Sequence, residues 1–586
     1  MKKHWIALLL ALLLTSLCAV GTAEETASFT WWIARSEDTS YYDSYNDNPI
    51  VQHLLAEKTY AGKRLSLDFW AGVSGSEKEN FNNMLATGDL ADMIDLSHSD
   101  YTPATLYEDG YILDLTAAVQ EHMPNYWNLL QEDSELAEYA WSYVDGEKML
   151  LSLMVFAQQP DDPFEGFCYR RDWVAKYGKN PVSGEAFTYG FDENGKWQDD
   201  VVFPCGETDP YYISDWEWMF EIFTTAMADQ GIADGYCYSV FYPGYMGSGD
   251  LYTGFGGGTP WWSRDREGNA AFGANSDNMR AYLQCMNHWY EQGWMDKAFA
   301  ERSGDMFYII DSKSVHQGKV GLWQGRQAEV GTEMDLGNGG FTDGIVVYGC
   351  AQPINDVYGA DAQKNHQPDS FYSFSRAMTP VALTTKADGK DLSVLLGFID
   401  QFYDMGEGSL LKSHGFSKAQ MEGMDQNTPW YQTYAKFGLT EGTYEVVEEN
   451  GEMYWHHTVG DSLLGNAMKL NRLLGYTMNE HSRYPEETRS AMLQSAIDLW
   501  ALYPNTGYLR SNVENLIPTS DIAKKTKIDN NIQTYMSQNV PKFIMGQNGF
   551  DIDNDADWAS YVKVIDKYGP DKVTQMYQTA LDMLKE

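Results

Sequence analysis

Residues 29–34 (FTWWIA), 65–70 (LSLDFW) and 93–97 (MIDLS) are short β-type runs, and a helical stripe lies between the second and third. Phe81, Met84 and Leu85 fall on one face of residues 77–86, and Gly88 follows as a stop. Strand, helix and strand joined by short turns form a βαβ unit, which implies a mostly parallel sheet covered by helices. The expected class is therefore α/β. The pattern recurs further along. Residues 215–228 carry Trp218, Met219, Ile222 and Phe223 behind Ser214 as N-cap, and residues 278–292 carry Met279, Leu283, Met286 and Tyr290 before Gly293. Both stripes read as core faces. A Gly- and aromatic-rich stretch, 236–262, separates them, and the last 70 or so residues read as helical, punctuated by Pro541 and Pro570. The 586 residues exceed one domain, and no repeat or low-complexity linker divides them, so two lobes must be interleaved or tightly joined.

The N-terminus reads as an export signal. Lys2 and Lys3 precede an apolar run from Trp5 to Leu17, and Gly21-Thr22-Ala23 offers small residues for cleavage. Cys18 keeps a second reading open, acylation as a lipoprotein anchor, although Leu17 stands where that signal has a small residue. The expected location is extracellular, at the outer face of the cell membrane. Cys168, Cys205, Cys237, Cys285 and Cys350 form no CxxC pair or metal spacing and read as buried thiols, one incidental disulfide being the alternative.

Charge narrows the partners. Against 41 Lys+Arg stand 84 Asp+Glu, a formal net charge of −43, which excludes nucleic acid and disfavours anionic membrane surfaces. Asp551, Asp553, Asp555 and Asp557 resemble an EF-hand opening, but Ala556 and Val562 occupy its sixth and twelfth positions. An acidic start to a helix near Asp555 is the preferred reading. Asp192, Asn194 and Asp200 are calcium candidates, yet Lys196 stands among them and Asn194-Gly195 reads better as a two-residue hairpin turn. No cofactor is expected, with calcium at that turn as the alternative. His456-His457 lacks the i, i+4 spacing of a helical metal site, 254–258 (GFGGG) is followed by no Lys-Ser/Thr, and no G-x-S-x-G elbow occurs. The 19 Trp and 39 Tyr are more informative. Trp31-Trp32 point to opposite faces of one strand, so only one of them is expected to enter a given core. Trp261-Trp262 follow the Gly-rich run, and Trp323 ends Val320-Gly321-Leu322. Each reads alone as core or as sugar platform; as a set beside Gly-rich loops they favour a carbohydrate cleft.

Residues 81–96 (FNNMLATGDLADMIDL) resemble a segment typical of bacterial extracellular solute-binding proteins of family 1, which serve carbohydrate ABC importers. Arg170-Arg171-Asp172-Trp173 with Tyr177-Gly178 resembles that family's R-x-D-W element. Residues 290–299 followed by 318–321 (GKVG), residues 438–450, and residues 542–578 are similar to further segments, the last to the lipoprotein-type oligosaccharide-binding subgroup. The resemblance implies a periplasmic-binding-protein-like (type II) fold, two α/β lobes on a hinge of several crossings closing on sugar. It places residues 24–160 with 350–410 in lobe 1, and 161–349 with 411–586, largely helical, in lobe 2, behind a signal at 1–23. Its cleft residues would be Trp31 or Trp32, Trp70, Asp95, Ser97 and His98 from the first lobe, and Arg170, Trp261, Trp262, Trp323 and Arg326 from the second. Asp172 and Trp173 would cap and pack the following helix. Related alginate-binding proteins carry calcium near the Asp192 turn. The strong negative charge opposes a polyanionic glycan, so the expected ligand is a neutral oligosaccharide, taken up by a monomer that docks on an ABC permease. The alternative is a secreted glycoside hydrolase or lyase.

Overall fold

The computed structural model describes residues 25–33, 44–73, 75–160, 162–240, 250–256, 258–265, 267–302, 311–332, 345–360, 362, 376–460, 474–478, 480–483, 490–503 and 511–585. The export signal and Cys18 lie outside them. Two compact units share the chain: Met1–Ala140, Met149–Ala157 and Met378–Tyr484 form the first, and Trp141–Lys148, Gln158–Ala377 and Pro485–Glu586 form the second. The chain thus passes five times from one unit to the other.

The first unit is built on a six-stranded sheet in the order Gly475–Thr477, Leu153–Ala157, Ala377–Leu383, Met93–Asp95, Thr26–Ile33, Arg64–Ala71. Thr26–Ile33 runs parallel to both its neighbours, and the helix Glu77–Thr87 links Arg64–Ala71 to Met93–Asp95. This is the expected βαβ unit. Phe81, Met84 and Leu85 are the buried face of its helix, which ends where Gly88 takes φ 71°. Ala377–Leu383 is antiparallel to Met93–Asp95, so the sheet is mixed. Trp31 and Trp32 enter different cores, as the alternation along the strand predicts, and both are buried, at 1% and 5% exposed. A strand inside a sheet covered on both faces has two cores to fill. Trp31 lies against Phe69, which Tyr45 meets edge-on, while Trp32 lies against Phe81.

Residues 411–484, read from sequence as part of the second lobe, belong to the first unit. Gly475–Thr477 extends the sheet by pairing in parallel with Leu153–Ala157, and the helix Glu407–His414 packs on that strand, with the buried Lys412 ammonium donating to Thr477 Oγ1. Residues 350–377 fall in the second unit instead, because Val347–Cys350 pairs there with Glu165–Arg170. Trp141–Lys148 also belongs to that unit.

The second unit departs from the parallel pattern. Its central sheet, Leu322–Arg326, Glu165–Arg170 and Val347–Cys350, is antiparallel throughout. One face carries Phe167, Tyr169 and Leu322 into a core with Trp216, Phe220 and Phe223 of the helix Ile213–Gln230 and Trp289 of Asp277–Gln292. Ser214, the expected cap of the first of these helices, lies inside it; Asp215 instead accepts from the Tyr212 amide, and Ser214 Oγ donates to Asp356. Ser276 caps the second helix, and Gly293 closes it at φ 75°. On the opposite face the helix Ala491–Trp500 rests on glycines: a Cβ at Gly166 would lie 2.3 Å from the Trp500 ring, and one at Gly349 would lie 2.4 Å from Ala496 Cβ.

The C-terminal helices are Thr519–Ile544, Asp555–Tyr568 and Pro570–Met583. Pro570 opens the last of them, whereas Pro541 lies within the final turn of the first rather than ending it. Asn554 Oδ1 accepts the Ala556 amide and Asp557 accepts the Asp551 amide, so the acidic stretch caps a helix as expected. Cys168, Cys205, Cys237, Cys285 and Cys350 are free thiols, all buried but the half-buried Cys205. No helix among the described residues is long and apolar enough to cross a membrane.

Candidate functional site

In the first unit the parallel strands end side by side at Ile33, Ala71 and Asp95, the edge where open α/β sheets take up ligands. Trp70 sits one residue from that edge, in register with Trp32 but only half-buried. Its indole Nε1 donates to Asp68 Oδ2 at 2.9 Å, and the Lys386 ammonium lies 5.0 Å from its ring. Asp95 is buried, and its Oδ1 accepts the Ser97 amide at 2.8 Å and also the Ser97 hydroxyl. That turn presents Ser97 and His98 to solvent. Trp70, Ser97 and His98 are therefore the predicted residues of this unit that remain available, while Trp31 and Trp32 are core.

The second unit scatters its predicted residues. Arg170 is buried and spends its guanidinium internally: Nε and Nη2 donate to Asp172 at 2.8 and 2.6 Å, Nη1 donates to the Gly318 carbonyl at 2.9 Å, and the plane covers Trp173 at 4.1 Å. A cation so fully used holds the start of a helix rather than waiting for a ligand. Trp262 is buried against the last helix, with Nε1 donating to Thr574 Oγ1 at 3.1 Å, and the half-buried Trp261 meets it edge-on at 4.8 Å. Trp323 lies in a core with Cys168, Val347 and Trp500.

Arg326 is half-buried at the end of the sheet and donates to Glu329 Oε1 through Nη2 at 2.6 Å, with His316 Nε2 3.7 Å from the same oxygen. Opposite Arg326 in register stands Glu165, a residue the sequence reading passed over. Its Oε1 accepts from Gln324 Nε2 at 3.3 Å, and Glu165 Oε2 and Gln324 Oε1 have no partner among the described residues. Burial pushes the Glu165 carboxyl up to about 8, against the smaller opposing pull of Gln324 and Arg326. A Glu opening a strand whose middle, Gly-Phe-Cys-Tyr, is apolar and small is the signal that would have found it.

The calcium candidates do not converge. Asp192 Oδ1 accepts the Asn194 and Lys196 amides inside the turn, whereas Asp200 Oδ1 accepts the Thr188 amide at the other end of the hairpin. Among the described residues no group of three or more His, Cys, Asp or Glu could hold a metal ion. The turn is longer than two residues: Phe191 pairs with Trp197, and Asp192 with Lys196 through its amide, leaving three residues to turn with Gly195 at φ 75°.

No protein-family model matches the chain, and no curated protein matches it. Solved structures do. An extracellular solute-binding protein from Bifidobacterium longum subsp. infantis aligns with a TM-score of 0.64 at 13% identity, over 97% of this chain and 100% of its own. An HMO-binding ABC-transporter-associated solute-binding protein from B. longum infantis aligns at 0.59 and 13%, over 96% and 99%. The S. pneumoniae ABC-transporter substrate-binding protein FusA, in complex with kestose, aligns at 0.57 and 17%, over 96% and 99%. The chain has the mixed α/β fold of the two-lobed periplasmic solute-binding proteins.

Proposed function

We propose that this chain is the ligand-capture component of an ABC importer, binding a neutral oligosaccharide without transforming it. The observation that carries the reading is likeness over nearly the whole of both chains to FusA with kestose and to the HMO-binding protein. The motif resemblance in residues 81–96 and 170–173 supports it independently. The net charge of −43 favours an uncharged glycan. In this reading the protein is exported as a monomer to the outer face of the membrane, held there if Cys18 is acylated, and hands its sugar to a permease. Capture falls to the carboxyl-end edge of the first unit's sheet, where Trp70 offers a ring and Ser97 and His98 offer hydrogen bonds.

Calorimetric titration of the whole chain with neutral fructo-, malto- and galacto-oligosaccharides tests this. Saturable binding without product is expected. Hydrolysis or elimination products accumulating without stoichiometric binding would favour the glycan-active enzyme. Trp70→Ala should weaken binding by about 1 kcal/mol, roughly fivefold in Kd, with the fold intact because the ring is already half-exposed. An unchanged Kd removes Trp70 from the site.

A further inference from the structure

At the Arg170 end of the second unit's sheet, the end away from Glu165 and Arg326, lies a cavity of about 330 Å³. Arg170, Lys176, Gln230, Gln317 and the hairpin residues Tyr189 and Trp197 are among its walls. We propose that this cavity is a saccharide subsite for one neutral sugar unit, separate from the capture edge of the first unit; the proposal rests on the reading of the chain as a sugar binder.

Three observations converge on it. The first is an aromatic platform. Tyr189 is 44% exposed yet stacks on the buried Trp197, with ring centroids 5.8 Å apart and planes 30° apart. Phe191, 51% exposed, meets the same indole edge-on at 5.2 Å. Tyr189, the exposed ring in the cavity wall, backed by the buried indole, offers an apolar face to a pyranose or furanose.

The second is the polar complement. Gln230 and Gln317 are exposed and bring amides that both donate and accept, the chemistry that matches a hydroxyl. Arg170 is neutralised by Asp172, which leaves Lys176 as a donor and gives the cavity no cluster of cations to recruit an anionic group. A volume at the lower end of the usual 300–1,000 Å³ range suits a single ring rather than a long chain.

The third is rigidity. Asp199 of the hairpin accepts from Arg171 Nε at 3.0 Å, Arg171 Nη2 at 2.5 Å and Trp197 Nε1 at 2.6 Å, while Arg171 Nη1 also donates to Tyr169 Oη and the Thr208 carbonyl. The platform is thus fixed to the sheet before any ligand arrives, which lowers the entropy lost on binding.

Saturation-transfer NMR on the whole chain, with methyl glycosides of glucose, galactose, fructose and N-acetylglucosamine, tests the subsite. At least one glycoside should give a saturable signal. Tyr189→Ala and Gln230→Ala should each weaken it tenfold or more, and Tyr189→Phe should restore it. Both mutated side chains are exposed, and circular dichroism of the variants is to match that of the wild type. Absence of signal in the wild type, or a signal that Tyr189→Ala does not alter, overturns the proposal. Oligosaccharide calorimetry on the same variants separates the two failures: binding that survives Tyr189→Ala while the glycoside result is negative sinks the subsite alone. Loss of all oligosaccharide binding in the wild type sinks the capture function.

Discussion

Glu165 holds a proton at neutral pH because water scarcely reaches its carboxyl and a single amide, Gln324, hydrogen-bonds it. Its pKa is pushed up to about 8, well above the ordinary glutamate value, so between about pH 4.5 and 8 the folded chain keeps a proton that the unfolded chain releases. Stability contributed at this residue therefore falls as pH rises through that window and levels off above it. Glu165→Gln keeps the shape and removes the titration. Urea unfolding at stepped pH should show the variant level with the wild type near pH 4 and more stable by a few kcal/mol at pH 8. Parallel pH profiles for the two proteins would place the acid elsewhere. Tryptophans show the limit of reading residues one at a time. Alternation along Thr26–Ile33 separates Trp31 from Trp32 correctly, but whether a face is wet depends on Phe69, Tyr45 and Phe81, which come from elsewhere in the chain. The same blindness made Trp262 look available, since its partner Thr574 is 312 residues away; Arg170 is held both by the nearby Asp172 and by Gly318, 148 residues away.

Elements built from local signals were the most legible. The helix Glu77–Thr87 with its Gly88 stop, and Asp277–Gln292 with its Gly293 stop, follow directly from apolar spacing and the left-handed residue that ends each. Legibility stops where an element's role is set by a distant partner. Nothing local in EGFCYR says that Gly166 is a floor for Trp500, yet a Cβ there would sit 2.3 Å from the ring, and the Trp500 indole donates to the Phe167 carbonyl at 3.0 Å. Gly166→Ala should cost about 1–3 kcal/mol through overpacking, and Trp500→Ala about 3–5 kcal/mol through the void it leaves. If the two touch as described, the penalty of Gly166→Ala should largely vanish in the Trp500→Ala background. A double-mutant cycle by denaturant unfolding reads this coupling; additive penalties would mean that the glycine is needed for another reason.

Neither unit is a continuous piece of chain, and this limits how the molecule can be divided. The first unit's sheet needs Ala377–Leu383 between Leu153–Ala157 and Met93–Asp95, and Gly475–Thr477 at its far end. The second needs Ala491–Trp500 on its glycine floor and Pro570–Met583 beside Trp262. A cut after residue 376 therefore takes essential parts from both. The local βαβ pattern predicted the class of fold but not this sharing, because the strand that completes a sheet can come from anywhere in the sequence. Residues 25–376 alone should lack the near-ultraviolet dichroism of packed tryptophans and should unfold without a cooperative transition, since Met93–Asp95 and Leu153–Ala157 lose the strand that joins them. Co-expressed with residues 377–586, the same segment should recover both signals, because the missing strand and helices are restored without a covalent link. A segment 25–376 that unfolds cooperatively alone, with full near-ultraviolet dichroism, would show that the shared strand is dispensable and that the first unit is complete without it.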